Sequence, residues 1–317
     1  MNEGRRAEAW MWDRYWRSGR ADCCAGGAKI NFEPLWQSHF AAFPAGSKLL
    51  DLATGGGYVT RLALATGDRL GLAFAVTGID FANTPPNTAT QAAQGDCRLT
   101  VMGNVRMEVL PFGDAIFDGI SSQFGFEYAE LEPAASEAAR VLKPAGRGLF
   151  VLHHADSEIT KAAAARLAAH RSAMEGQRPF RLAQRVFNLH GLRKSGPELS
   201  QAESDFRASV TTMQSRLAPG DYLENLSQAL AFLADLAQAP ESFDPVSALR
   251  KLKQVEDEVL SWEELQRVQL AAALDRSQLE SLTDQLRRHG LQIAAPEVQS
   301  DPQGAILAWK LVFHKPS

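Results

Sequence analysis

Apolar positions in the first half of the chain follow two alternating patterns. Strand-length runs occur at Ser47 to Leu52 (SKLLDL), Phe74 to Asp80 (FAVTGID), Arg98 to Gly103, Phe117 to Gln123 (FDGISSQ) and Gly148 to His153. Between them lie stretches with helical spacing. These are Tyr58 to Thr66, with Val59, Leu62 and Ala63 on one side, an Ala/Gln segment near Asn87 to Gln94 behind Pro85-Pro86, and Pro133 to Leu142. A helix at Phe32 to Phe43, stopped by Pro44-Ala45-Gly46, and an aromatic helix at Glu8 to Trp16 precede them. Lys143-Pro144-Ala145-Gly146 reads as a turn. Strands and helices alternating at this spacing predict a parallel sheet with helices on both faces.

From about Ser157 to His289 the strand pattern stops and all periodicity is helical. Lys161 to Ala173 is rich in alanine, and Asp221 to Ala239 lines up Tyr222, Leu226, Leu230, Leu233 and Leu236. Asp244-Pro245 has the form of a capped helix start with proline at the first helical position. Ser277 is read as a second start, before Leu279, Leu282 and Leu286, with Gly290 as the stop. Leu291 to Val298 and Ala305 to Phe313 close the chain as an antiparallel hairpin around Ser300 to Gly304.

Composition narrows the class. Of 317 residues, 45% are hydrophobic and 22% charged, as in a globular protein with a real core, and the net charge of −4 gives no overall attraction for polyanions. Three cysteines, Cys23, Cys24 and Cys97, form no disulfide framework and no metal-ligand spacing, so no zinc is expected. No signal-like or membrane-length apolar stretch is present, and a cytoplasmic location is the expectation.

The chemistry concentrates in Asp51-Leu52-Ala53-Thr54-Gly55-Gly56-Gly57. A nucleotide-binding turn at a strand's carboxyl end needs residues without bulk, so that backbone can approach the ligand. Asp80 ends the next strand, 23 residues past Gly57. A carboxylate there can accept hydrogen bonds from both ribose hydroxyls. Together the two features predict a nucleoside-binding α/β site.

Several ordered stretches resemble the class I S-adenosylmethionine-dependent methyltransferases. They are LLDLATGGG (Leu49 to Gly57), GID (Gly78 to Asp80), LPFGDAIFD (Leu110 to Asp118), ARVLKPAGRGLFVL (Ala139 to Leu152) and AWKLVFHK (Ala308 to Lys315). The resemblance covers about residues 45 to 155 and 277 to 317. It implies a Rossmann-like seven-stranded sheet, last strand antiparallel, with S-adenosyl-L-methionine over the carboxyl ends of its first, second and fourth strands. By the same resemblance Asp51 and Ala53, Thr54, Gly55 and Gly57 underlie the methionine portion, Asp80 holds the ribose, Phe81 flanks the adenine and Gln123 sits near the methionine. Ala53 replaces the family's first glycine. Arg106 stands where members often place an aspartate for the adenine amino group, and arginine cannot accept that bond. Asn104 or the Met107 backbone is expected to take its place.

Methyl transfer needs an aligned acceptor and, for a hydroxyl or ammonium, a base. Histidine as a residue type titrates near neutrality, so His153 and His154, after the fifth strand, are candidates; the alternative is that both are structural. Tyr128, with Glu127, is a candidate to orient an acceptor; the alternative is a helix-cap and packing role. The aromatic residues Trp10, Trp12, Tyr15 and Trp16 are read as a lid or as core. A basic stretch, Lys161, Arg166, Arg171, Arg178, Arg181, Arg185, Arg193 and Lys194, can recognise a carboxylate or phosphate, or be a solvated face; nucleic acid is its weakest partner. The organisation is thus 1–45 as a helical lid, 46–156 with 277–317 as the cofactor domain, and 157–276 as an inserted helical cap over a small-molecule acceptor or a homodimer contact. The competing readings are a nicotinamide-dependent oxidoreductase, disfavoured by Thr60 at the third glycine position, and a non-catalytic cofactor-binding protein.

Overall fold

The computed structural model describes residues 11–16, 31–83, 95–217 and 224–317. Trp10, Cys23, Cys24, the segment 84–94 and Asp221-Tyr222 lie outside the described residues. After a short helix at 11–16 come α1 (Glu33–Ala41), β1 (Lys48–Leu52), α2 (Tyr58–Leu70), β2 (Ala75–Ile79), β3 (Arg98–Met102), β4 (Phe117–Gln123), α3 (Leu131–Val141) and β5 (Leu142–His153). Six helices follow: α4 (Glu158–Met174), α5 (Pro179–Gly191), α6 (Pro197–Arg216), α7 (Glu224–Gln238), α8 (Pro245–Ala272) and α9 (Arg276–Arg288). The chain ends in β6 (Gln292–Ile293), β7 (Glu297–Ser300) and β8 (Ile306–His314).

The sheet runs β3-β2-β1-β4-β5-β8-β6, with β7 also on β8. Strands β1 to β5 pair in parallel, and β8 pairs antiparallel to β5. β6 and β7 share one edge of β8, so they act as a single edge strand interrupted near Pro296, and the sheet is seven strands wide. It is therefore a Rossmann-like sheet with an antiparallel last strand. Strand order reverses between β1 and β4, which opens a crevice at their carboxyl ends.

Alternation of side chains sorts the sheet's residues onto two layers. Leu50, Leu52, Ile79, Phe150, Leu152 and Leu311 pack with α3 and α9 on one side. Leu49, Val76, Leu149, Val151 and Ala308 pack with α1 and α2 on the other. Burial on both faces explains why these strands read as unbroken apolar runs. Each such fully buried side chain contributes about 1.5–3 kcal/mol of transfer free energy.

Two details differ from expectation. Lys143-Pro144-Ala145-Gly146 is a bulge inside β5: Phe117 pairs with Leu142 and Gly119 with Arg147, and Ala145 takes φ +61°. The cap of α9 is Asp275, not Ser277. Asp275 Oδ1 accepts from the Gln278 N–H at 2.8 Å, and Gln278 Oε1 accepts from the Asp275 N–H at 2.9 Å, a reciprocal capping box to which the Ser277 hydroxyl adds a further bond to Oδ1 at 2.8 Å.

The chain divides into two compact units, residues 1–161 with 269–317, and residues 162–268. The second is all-helical around its own core, in which Phe187, Phe206, Met213, Leu233 and Leu252 are fully buried. No helix among the described residues is long and apolar enough to cross a membrane.

Candidate functional site

β1 ends in a turn that only small residues can make. Gly55 and Gly57 take φ +50° and +79°, and Gly57 begins α2 from the left-handed region. Ala53 is also left-handed, at φ +54°, which costs an L-residue roughly 1–2 kcal/mol. Its methyl fits because residue 125 is glycine: a Cβ there would lie 2.5 Å from the Ala53 Cβ. The Thr54 N–H donates to the Ile79 carbonyl at 2.8 Å, which ties the turn to the tip of β2. Gly78 leaves room for the Thr54 side chain, since a Cβ would reach its Oγ1 at 2.9 Å.

Asp80 closes the same crevice from β2. Its Oδ2 accepts from the Gly55 N–H at 2.7 Å and its Oδ1 from the Ala82 N–H at 2.8 Å. The acid therefore faces the glycine turn. Burial raises its pKa to about 6; the two amides oppose that rise and the charge of Asp13 adds to it. Asp51 is buried more deeply, and burial raises it to about 7 against the Ser121 hydroxyl, which donates to Oδ1 at 2.8 Å. The nearby Thr54 hydroxyl eases the charge without making a hydrogen bond of normal geometry. Asp51 Oδ2 and Thr54 Oγ1 are thus buried polar atoms with no hydrogen-bond partner among the described residues. Such atoms at the mouth of a crevice are what a polar ligand would satisfy.

On the far side of Asp80, Phe81 is half-buried and the Asn104 N–H donates to the Ala82 carbonyl at 3.1 Å. Arg106 turns to Glu108, 3.3 Å away, and Glu130, 3.9 Å away. The Asn104 amide donates to Asn83 Oδ1 at 2.6 Å, which turns its own oxygen to other donors. Met107 packs half-buried against the core beside it. The loop from Leu110 to Asp114 is held by Arg140, which donates to the carbonyls of Leu110 and Phe112 and pairs with Asp114 and Glu137.

The tips of β4 and β5 form the other wall. Gln123 Oε1 accepts from Trp36 Nε1 at 2.6 Å, so its amide nitrogen is the end left to donate. The segment then turns through Phe124, at φ +52°, into a 3-10 turn at Phe126–Tyr128. Glu127, buried, accepts through Oε1 from both the His153 backbone N–H and Nδ1, each at 2.7 Å. His153 Nε2 faces Gln269 Nε2 at 3.3 Å, and Glu127 Oε2 has no hydrogen-bond partner. Tyr128 stands edge-on to His153 at 5.8 Å between ring centroids. His154 points to the opposite face, as the next residue of a strand must. It stacks on Trp309 at 4.2 Å, accepts through Nδ1 from the Asp156 N–H, and burial lowers its pKa.

The aromatic helix at 11–16 packs on this wall and on the turn. Trp12 meets Tyr128 edge-on at 5.2 Å, and Asp13 accepts from the Asn83 N–H. The Trp16 indole lies directly against Gly55, where any Cβ would collide with it. Sequence spacing places Asp51, Asp80 and the glycines but carries no signal for the Trp16–Gly55, Gln123–Trp36 or Glu127–His153–Gln269 contacts. Those depend on strand neighbours and helix packing. Among the described residues, no cluster of three or more His, Cys, Asp or Glu could hold a metal ion.

Residues 50–150 match the family model described as a methyltransferase domain. No curated protein matches the sequence. An S-adenosylmethionine-dependent methyltransferase from Mesorhizobium loti is 20% identical, with 40% of this chain and 56% of that chain covered and a TM-score of 0.33. This chain thus spans little more than half the length of that protein. The Burkholderia thailandensis 1,6-didemethyltoxoflavin N1-methyltransferase, solved with S-adenosylhomocysteine, is 13% identical over 100% and 92% of the two chains, with a TM-score of 0.47. A Rhodobacter sphaeroides structure assigned to the Zn-dependent alcohol dehydrogenases is 12% identical over the whole of both chains, with a TM-score of 0.51; at that identity it shares the fold and no more.

Proposed function

Starting from residues 50–150 as a class I S-adenosylmethionine-dependent methyltransferase domain, we propose that the protein methylates a small organic acceptor at oxygen or nitrogen. The reading rests on one observation above the others: the Asp80 carboxylate and the Gly55 amide meet at the crevice between the tips of β1 and β2. S-adenosyl-L-methionine supplies a methyl group already activated on a positively charged sulfur.

The chain's own residues then have three tasks. The first is to hold the cofactor. Each Asp80 oxygen uses one lone pair on a backbone amide and keeps another for a ribose hydroxyl. Asp51 Oδ2 and Thr54 Oγ1 are the unpartnered polar atoms for the methionine portion, over the floor made by Ala53, Gly55 and Gly57. Gln123, its oxygen fixed by Trp36, directs its amide N–H groups to the ligand carboxylate. Phe81 flanks the adenine, and the Asn104 oxygen accepts from its amino group, with the Met107 backbone alongside, in the role that Arg106 cannot fill.

The second task is to exclude water, assigned to Trp12 and Trp16 with Tyr128. The third is to take a proton from the acceptor. His153 is the candidate base, because an Nδ1 that donates to Glu127 makes Nε2 the acceptor nitrogen of the ring, 3.3 Å from Gln269 Nε2. Its neighbour His154 is committed to Trp309 and to the turn before α4, and the proposal gives it no proton to move.

Calorimetry tests the assignment. S-adenosylhomocysteine should bind one site per chain and NADH should not. Asp80→Asn should weaken the former roughly 10–100-fold, the value of one or two hydrogen bonds to a charged group. NADH binding, or unchanged S-adenosylhomocysteine affinity in a folded Asp80→Asn protein, would overturn it.

A further inference from the structure

The basic stretch after Lys161 is not absorbed by the methyltransferase reading. Its members separate by partner. Lys161 pairs with Glu158, Arg166 bonds Gln266 and Arg171 pairs with Glu263. Among the described residues, Arg178, Arg181 and Arg185 make no ion pair, although each is exposed on a surface that holds acids. They recur at the start and on one face of α5, whose other face buries Phe180, Ala183, Val186 and Phe187.

All three line an open cleft of about 510 Å³ within the helical unit, opposite Asp205, Ser209 and Thr212 of α6. One further feature points to a ligand. Ser209 is 5% exposed and its Oγ, at the cleft wall, has no hydrogen-bond partner among the described residues. Asp205 is the one acid in the lining, and its Oδ1 accepts from Gln201 at 2.7 Å. The lining therefore carries an excess of positive charge. A neighbouring cleft shares Arg178 and Arg181, but also contains Glu175, Glu256 and Glu263 against Arg171, so it has no such excess.

We propose that the Arg178–Arg181–Arg185 cleft binds the phosphate group of a small phosphorylated molecule. Planar guanidiniums match phosphate oxygens in pairs, and a buried hydroxyl supplies a further donor. Three arginines suit a dianion or a diphosphate. An extended RNA backbone would need a basic track longer than this cleft.

The test is calorimetry on the full chain with inorganic phosphate, pyrophosphate, phenyl phosphate and a single-stranded RNA oligonucleotide, at low salt and at physiological salt. One saturable site for pyrophosphate or phenyl phosphate is expected, at least tenfold weaker in Arg181→Ala and in Arg178→Ala/Arg185→Ala. Ser209→Ala should weaken it by a smaller factor, and Lys194→Ala, outside the cleft, should leave it unchanged. Asp80→Asn should leave it unchanged too, which separates its fate from that of the methyltransferase assignment. Tighter binding of phenyl phosphate than of inorganic phosphate identifies an esterified ligand; equal affinity identifies the free ion. No saturable binding, loss in Lys194→Ala equal to that in Arg181→Ala, or RNA binding tighter than every small phosphate overturns the proposal.

Discussion

At the scale of single residues, the turn at the end of β1 depends on a matched pair of small residues. Ala53 keeps a left-handed backbone because Gly125 has no Cβ to meet it. Gly125→Ala should therefore lower stability by about 1–3 kcal/mol, the range for overpacking a close contact. Ala53→Gly in the same chain should recover most of that loss. A denaturation double-mutant cycle measures the coupling, and additive effects would show that the two residues do not share the strain. The two acids beside this turn set a pH signature. Asp51 and Asp80 have folded-state pKa values of about 7 and about 6, above the 3.8 of a free aspartate. A raised carboxyl pKa means that the folded chain binds more protons than the unfolded one. The cost of ionising these groups is absent below about 4 and grows as pH rises to about 7. The unliganded protein should lose stability across that window, and Asp51→Asn should flatten the loss. Cofactor affinity has the opposite sign. In the proposed site a ribose takes the Asp80 carboxylate as acceptor, so affinity for 5′-methylthioadenosine should rise with pH through about 6 and be level in Asp80→Asn. A flat wild-type profile would separate Asp80 from the ribose.

At the scale of elements, periodicity was readable wherever both faces of an element are buried or one face is. β4 begins and ends where its apolar run does, and β1, β2 and β3 fall within a residue or two of theirs. Elements set by side-chain hydrogen bonds or by bulges were not readable in this way. The α9 cap is an example: Asp275 and Ser277 are both good capping residues, each with a partner three positions on, Gln278 or Glu280, and the folded chain uses the first pair. Asp275→Ala should lower the melting temperature by roughly 2–4 °C and Ser277→Ala should leave it within error. The site divides along the same line. Acids at strand tips and glycines after a strand are positional signals. The Glu127–His153 pair spans 26 residues and exists because β4 and β5 are neighbours. Trp16 on Gly55 joins an element outside the sheet to one inside it. That contact makes the aromatic helix a reporter. The proposed site puts S-adenosylhomocysteine on the surface of the glycine turn that the indole covers, so binding should change Trp16 fluorescence. In Trp16→Phe the cofactor-dependent signal should fall while binding by calorimetry persists. An unchanged signal would place the ligand elsewhere.

At the scale of the whole chain, the sequence changes character near Ser157 and the structure divides near the same place, at Lys161. Each unit closes its own core. Side chains from Ala173 to Val259 form one cluster, and the two clusters flanking the sheet draw on the remainder of the chain. Separate cores predict separate cooperative transitions, and a single unfolding free energy would then be the wrong quantity for this protein. A ligand stabilises the unit that binds it by RT ln(1 + [L]/Kd), about 2.7 kcal/mol at one hundred times Kd. Calorimetric scans should show two transitions. S-adenosylhomocysteine should raise the one that Asp80→Asn makes insensitive, and pyrophosphate the one that Arg181→Ala makes insensitive. Should one transition respond to both ligands, the two cores unfold as one, and the occupancy of each site is then coupled to that of the other through the shared folding equilibrium.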